Sequence, residues 1–377
     1  MSFALGCSTG IERLDRAGIS PDELLAGAPL GAAVTPLPPI DSEEVLAVSA
    51  EMRAFLDTHV HPRAAESVKL QELVDAIISG ESFGLEFDEK TRTAAETFRL
   101  RRGNCLSFSN LFIAMAREVG LDASFQEVDI PPDWSLRNDV FVLNRHVNVR
   151  VDLGSLDDHV VDFNIDDFRA SYDTRIIPDS RALAHFYNNV GVESMQAGDA
   201  ASAVLCFRRA IADNDRRFSP AWTNLGTVYL RLGHPAYAEA AYLEALKADS
   251  EDLVAMSNLA SLYERQGDPE RAAMYRRRVS DHRRQNPYFR YQRAREAFAA
   301  GDWDAAIGHL KFAIRKKQNE DEFYALLGMC YLKKGDKGTA RRWLARAEEV
   351  AATDALKRRY SSKIEKLLSE SSQGRTP

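Results

Sequence analysis

Three residues of this 377-residue chain have the side chains needed to make and break an acyl bond: Cys105 as nucleophile, His146 as the base that takes its proton, and Asp162 as the carboxylate that orients the base. A thiol attacks only after losing its proton, so the surroundings of Cys105 decide what it can do. Gly103 and Asn104 make a turn. The following run, CLSFSNLFIAMAREVG, places apolar side chains at Phe108, Leu111, Phe112, Met115 and Val119 before Gly120 stops it. That spacing is helical. Cys105 therefore opens a helix, where unpaired backbone N–H groups and the positive end of the dipole favour thiolate over thiol. An isolated cysteine is commonly a small packing residue, so a reactive role requires a base within reach.

The base and its orienter come from strands. After Gly120 the periodicity changes to two, and residues 123–128, 140–151 and 159–163 predict a small antiparallel sheet broken by PPDW and GSLDD. In RHVNVRV, His146, Asn148 and Arg150 face one side while Val147, Val149 and Val151 face the other. A hairpin centred on Gly154 sets His146 opposite Asp162, with Cβ atoms about 5 Å apart and a carboxylate–imidazole hydrogen bond in reach. A register slip of one would put the two on opposite faces. His146 then takes the thiol proton and returns it to a leaving amine, Asp162 fixes the tautomer, and the Cys105 N–H faces the developing oxyanion. A second oxyanion donor is not legible. His159 and Asp152 form the fallback pair, although His159 shares its face with Val161 and Phe163. The DIPPDWSLRND loop with Trp134 reads as a turn with one buried aromatic or as a cover over the site.

The ordered set GNCLSFSNLFIAMAREVGL, RHVNVRV and VVDFN, over about residues 94–164, resembles the three motifs of the transglutaminase-like superfamily. The resemblance implies an α+β papain-like fold with Cys105 as nucleophile, His146 as base and Asp162 as orienter. The aromatic that often follows the family's histidine motif is replaced by Val147 and Asn148.

The elements that must carry these residues begin with helices. One starts at Ser42 and runs through Val45, Leu46, Val48, Met52 and Leu56, a second passes through Leu70, Leu73, Val74 and Ile77, and a third, 91–99, leads into the cysteine turn. His59 and His61 lack a carboxylate or cysteine at ligand spacing and read as surface residues; no metal or other cofactor is expected. Residues 1–40, rich in Ala, Gly and Pro, read as a flexible leader. The step into Cys7 resembles a bacterial lipoprotein's acylation site with Ala4 and Leu5 reversed, so a lipid anchor at Cys7 is expected if the true start lies upstream. The location would then be the cell envelope, and otherwise the cytoplasm. No stretch has the length of a membrane helix.

From Ala184 the chain repeats. Aligning Gly198, Gly233, Gly267, Gly301 and Gly335 gives starts at 184, 219, 253, 287 and 321. Small residues recur at Gly191, Gly226, Ala260, Ala294 and Gly328, and tyrosines at Tyr229, Tyr263 and Tyr331. The pattern resembles the tetratricopeptide repeat, in which paired helices cross at the small residues. Such a solenoid presents a groove for a protein or peptide. Asn189, Asn224 and Asn258 recur at the sixth position and would form an amide ladder there. Cys206 and Cys330 fall inside repeat helices and read as packing residues.

Charge separates the halves. Residues 1–180 carry 16 Lys/Arg against 31 Asp/Glu, a balance of −15, and the remainder 33 against 25, or +8. The acidic half argues against nucleic acid as a partner, and the basic runs 282–295 and 315–317 read as solvated helix faces in preference to a surface for an acidic partner. The expected organisation is a leader (1–40), a transglutaminase-like cysteine domain (41–180), an all-α solenoid of five repeats (181–352), and a capping helix and tail (353–377). The expected function is cysteine-dependent acyl transfer through a thioester at Cys105, with amide or peptide hydrolysis favoured over cross-linking. The competing reading is a non-catalytic interaction scaffold whose cysteine module is inactive.

Overall fold

The computed structural model describes residues 18–33, 42–79, 83–129, 145–154, 159–163, 172–351, 353 and 356–364. Cys7, the loop containing Trp134 and the C-terminal SESSQGRTP lie outside them. The chain forms two compact units: Met1–Ile130, Asn144–Phe168 and Asp173–Arg276 make the first, and Pro131–Leu143, Arg169–Tyr172 and Arg277–Pro377 the second.

The first unit begins with helices α1 (Pro21–Ala26), α2 (Ser42–Val45), α3 (Ala50–His59), α4 (Glu66–Val74), α5 (Ala94–Leu100) and α6 (Cys105–Glu118). Its strands are β1 (Glu86–Phe87), β2 (Arg102–Gly103), β3 (Asp122–Asp129), β4 (Arg145–Asp152), β5 (His159–Val161) and β6 (Thr174–Ile177). The helix expected from Ser42 is two helices, because Ser49 caps α3 by accepting from the Met52 N–H. Helix α6 is the core: every residue from Leu106 to Ala116 is buried. It ends where Gly120 adopts φ +85°, letting the Leu121 N–H reach the Ala116 carbonyl.

The sheet has the order β5-β4-β3-β6, all antiparallel. The three strands expected from the alternation are present, and β6 is an addition. TRII is too short to announce itself by period. Its partner β3 places Glu127 against the first repeat helix, where the carboxylate receives His185 at 2.7 Å, Arg181 at 2.8 Å and Arg175. Burial alone would raise this carboxyl; the His185 and Arg181 contacts outweigh it and hold it well below the usual carboxylate range.

Repeat helices follow: α7 (Asp179–Gln196), α8 (Ala200–Arg208), α9 (Ser219–Arg231), α10 (Pro235–Ala248) and α11 (Leu253–Arg265), with α12 (Pro269–Gln285) reaching the unit boundary. Gly191 and Gly226 are required by close approach, since a Cβ would fall 2.6 Å from Phe207 and 2.7 Å from Tyr242. Residues 18–33, expected as flexible leader, are folded instead. A Ser20–Glu23 capping box starts α1, Leu24 and Leu25 are buried, and α1 packs on α10 with the Tyr229 hydroxyl donating to the Leu24 carbonyl. Two adjacent leucines after a cap outweigh the Ala/Gly/Pro composition around them.

The second unit holds α13 (Pro287–Ala299), α14 (Trp303–Lys316), α15 (Asp321–Lys333) and α16 (Lys337–Val350). Its core joins Ala294, Ala306, Leu310, Phe323, Leu327 and Cys330. A helical segment at 356–364 closes it, burying Tyr360 against Tyr324, Ala347 and Ala351. Within this basic unit, Arg290 lies 4.5 Å from the centre of the Phe312 ring, so part of its charge packs on an aromatic face.

Candidate active site

Cys105 is the first residue of α6 and is half-buried. Asn104 caps the helix, its Oδ1 accepting the Ser107 N–H at 3.0 Å. The N–H groups of Cys105 and Leu106 occupy the first two positions, which have no intrahelical acceptor. Gly103 cannot carry a side chain, because a Cβ would lie 2.4 Å from the Ser107 Cβ. A glycine at 103 is therefore a steric requirement for bringing β2 against the first turn of α6.

His146 stands on β4, 8% exposed, and its Nε2 lies 2.8 Å from both Asp162 carboxylate oxygens. Cys105 is the other group that acts on the ring, by hydrogen bonding and charge. Burial by itself would lower this histidine, but the Asp162 carboxylate and Cys105 together raise it to about 9. The imidazolium is thus the favoured form near neutral pH, held between an acid and a sulfur.

The register that produces this contact differs from the expected one. Val149 pairs with Val161, Arg150 with Val160 and Val151 with His159, so partners sum to 310 and not 308. The offset is two residues. Parity is kept, and Asp162 stays on the face of His146 but lies diagonal to it. Continuing the register puts Asp162 opposite Asn148, whose Nδ2 donates to Asp162 Oδ2 at 2.8 Å. Asn148, 1% exposed, therefore orients the carboxylate. The strand alternation had placed it on the correct face without a role.

Ser109 is a further residue that the sequence did not single out. Fully buried, its hydroxyl lies 3.0 Å from the Cys105 carbonyl and 3.1 Å from the Val147 carbonyl, serving one at a time with its single proton. It ties the cysteine's helical turn to the histidine's strand. Phe163 adds ring contacts to Phe108 and Phe112 at centroid distances of 5.3 and 6.2 Å. The fallback pair is not assembled, since His159 is exposed at the far end of β5 opposite Val151.

The remaining expected sites are distributed as follows. His61 is exposed and bonds Glu72 at 2.7 Å, a carboxylate eleven residues away that local spacing did not reveal, while His59 turns back to the Phe55 carbonyl. Among the described residues no group of three or more His, Cys, Asp or Glu is arranged to hold a metal. Asn189, Asn224 and Asn258 are half-buried on α7, α9 and α11. The middle amide is already engaged, its Nδ2 donating to Asn188 Oδ1 at 2.8 Å. Cys206 and Cys330 are buried, and burial pushes both thiols up to about 11.

Comparison with known proteins agrees with this architecture. Residues 59–153 match the model of the transglutaminase-like superfamily. Residues 191–251, 223–279 and 297–358 match tetratricopeptide repeat models. The chain thus carries a transglutaminase-like domain followed by tetratricopeptide repeats, a mixed α/β region and then an all-helical one. Similar solved structures include YrrB, described as a TPR protein with an unusual peptide-binding site, at 18% identity over 46% of this chain and 89% of that one (TM-score 0.25). A thermophilic TPR protein of Thermus thermophilus, TTC0263, is 24% identical over 48% and 97% (TM-score 0.25), and pilF of Pseudomonas aeruginosa 16% over 51% and 90% (TM-score 0.27). No curated protein matches this chain with significance. Among the described residues no helix is long and apolar enough to cross a membrane.

Proposed function

We propose that this chain is a cysteine-dependent acyl-transfer enzyme whose repeats recruit a protein or peptide. The observation that carries the reading is the buried His146 on β4, bonded to Asp162 just beyond β5 through Nε2 and raised also by Cys105 at the start of α6. In the reaction, the Cys105 thiolate attacks an acyl carbon, and the Cys105 N–H meets the developing oxyanion. His146 gives its proton to the leaving amine as the C–N bond breaks, leaving a thioester on sulfur. Water, deprotonated by His146, then releases the acid; an amine in its place gives transfer. Hydrolysis is the favoured outcome. The substitution of Val147 and Asn148 for the family's aromatic favours the alternative of an inactive module that serves only as scaffold.

The test is acylation by 4-nitrophenyl acetate, followed by intact mass and peptide mapping. The expected result is one acetyl group on Cys105 with release of 4-nitrophenolate, absent in Cys105→Ala. A wild-type protein that acquires no acetyl group at Cys105 and releases 4-nitrophenolate no faster than Cys105→Ala would leave the scaffold reading standing.

The repeat asparagines are proposed as a backbone-reading ladder for the recruited chain. Changing Asn189, Asn224 and Asn258 together to Ala should weaken capture of a bound peptide by roughly thirty- to hundredfold, each amide–backbone bond being worth about 1 kcal/mol and Asn224 being partly committed to Asn188. Calorimetric titration with a peptide selected on the wild-type repeats measures it. Equal affinity in the triple variant disposes of the ladder.

A further inference from the structure

The cap that positions Cys105 is itself held from the repeats. Asn104 has both ends of its amide committed: Oδ1 accepts the Ser107 N–H, and Nδ2 donates to Thr91 Oγ1 at 2.7 Å. Its backbone N–H donates to the Lys90 carbonyl at 3.2 Å, which also receives the Ser107 hydroxyl at 3.2 Å. The Arg92 N–H donates to the Ser107 hydroxyl at 2.9 Å. The segment 90–92 is therefore a template against which the first turn of α6 is set.

That template has no regular secondary structure of its own to fix it. What reaches it from outside the cysteine domain is Glu193, in the last turn of α7, the opening helix of the first repeat. Glu193 Oε1 accepts the Thr91 N–H at 2.8 Å, and Oε2 lies 3.2 Å from Lys90 Nζ. Thr91 is 9% exposed and the Glu193 side chain 21%, so the bond to the main chain is sheltered, whereas Lys90, 60% exposed, contributes little.

We propose that Glu193 is a positioning residue for Cys105, a repeat-domain carboxylate that fixes Lys90–Thr91 and through them the Asn104 cap. The first repeat is then part of the scaffold of the cysteine site, and a partner that displaces α7 alters the nucleophile. The inference rests on the acyl-transfer reading for its consequence and on geometry for its existence. Without Glu193 the Thr91 N–H loses its acceptor, Thr91 Oγ1 no longer holds Asn104, and the first turn of α6 loosens where its N–H groups and dipole act on the sulfur.

The experiment is iodoacetamide alkylation of Cys105 in the full chain, followed by peptide mass from pH 5 to 10, in wild type, Glu193→Ala, Glu193→Gln and Lys90→Ala. Glu193→Ala should slow alkylation at pH 7 by about three- to tenfold and move the profile to higher pH, the size expected for losing a helix cap. Glu193→Gln keeps the acceptor for Thr91 and should return to within about twofold of wild type, as should Lys90→Ala. A Glu193→Ala profile that superimposes on wild type, or a loss that glutamine does not restore, overturns the proposal. If wild-type Cys105 itself reacts only in alkali, the acyl-transfer reading fails separately, and deuterium exchange over residues 104–108 decides for Glu193. Faster exchange in Glu193→Ala than in Glu193→Gln supports the positioning role, and equal exchange overturns it.

Discussion

Replacing His146 by alanine should slow alkylation of Cys105 at pH 7 by on the order of a hundredfold, the lower end of what a positioned acid–base group contributes. The wild-type sulfur faces an imidazole raised to about 9, so near neutrality it has an imidazolium as counter-charge. The variant offers only the helix N-terminus. His146 is also a buried partner of Asp162, and its loss leaves that carboxylate with Asn148. His146→Gln, which keeps an N–H for Asp162 but carries no proton to exchange, should therefore lose reactivity to the same extent while folding better. Second-order alkylation rates from pH 5 to 10 measure the effect. If either variant keeps the wild-type profile, Cys105 is not activated by His146, and the repeats become the place to look for function.

Asp162→Ala should produce the largest change in stability, and one that depends on pH. The histidine and aspartate side chains are 7% and 6% exposed. The folded-state value of His146 lies above its ordinary 6.5, at about 9. The folded protein thus holds this proton more tightly than the unfolded chain, and the resulting stabilisation is fully present below about pH 6.5 and lost as pH rises through about 9. At about 1.4 kcal/mol per unit it amounts to about 3 kcal/mol. Removing Asp162, the larger of the two groups that raise His146, should cost most of that at pH 6, and the gap to wild type should narrow from pH 6.5 to 9. Below pH 6.5 the variant should lose further stability, because burial now opposes the imidazolium. Urea unfolding at pH 5, 6, 7.5 and 9 measures the gap. A gap that stays constant across this range would mean that the pair is not charged in the folded protein.

Much of this molecule is written locally. Phe108, Leu111, Phe112, Met115 and Val119 define α6 by period alone, and the Gly103–Asn104 turn before them places Cys105 at its first residue. The repeat frame is equally explicit: four of the five starts read from glycine spacing, 219, 253, 287 and 321, coincide with the first residues of α9, α11, α13 and α15. The first repeat departs because α7 begins at Asp179, five residues before the frame, where Arg181 pairs with Glu127 of the sheet. That extension answers to a tertiary partner and leaves no periodic signal. The leader shows the same limit, since Leu24 and Leu25 need the surface of α10 to explain them.

Alternation along RHVNVRV determined by itself that His146 lies on the polar face, and both the hairpin count about Gly154 and the ordered motifs named Asp162 as its partner. Only the tertiary structure decided that the register is offset by two, that Asn148 and not His146 directly faces the carboxylate, and that Ser109, Thr91 and Glu193 brace the cysteine's turn. The physical reason is sequence separation. Helical and strand periods repeat every two to four residues and are legible in a short window. The Glu193–Thr91 bond spans 102 residues and the Ser109–Val147 bond 38, and contacts of that range are chosen by how whole elements pack.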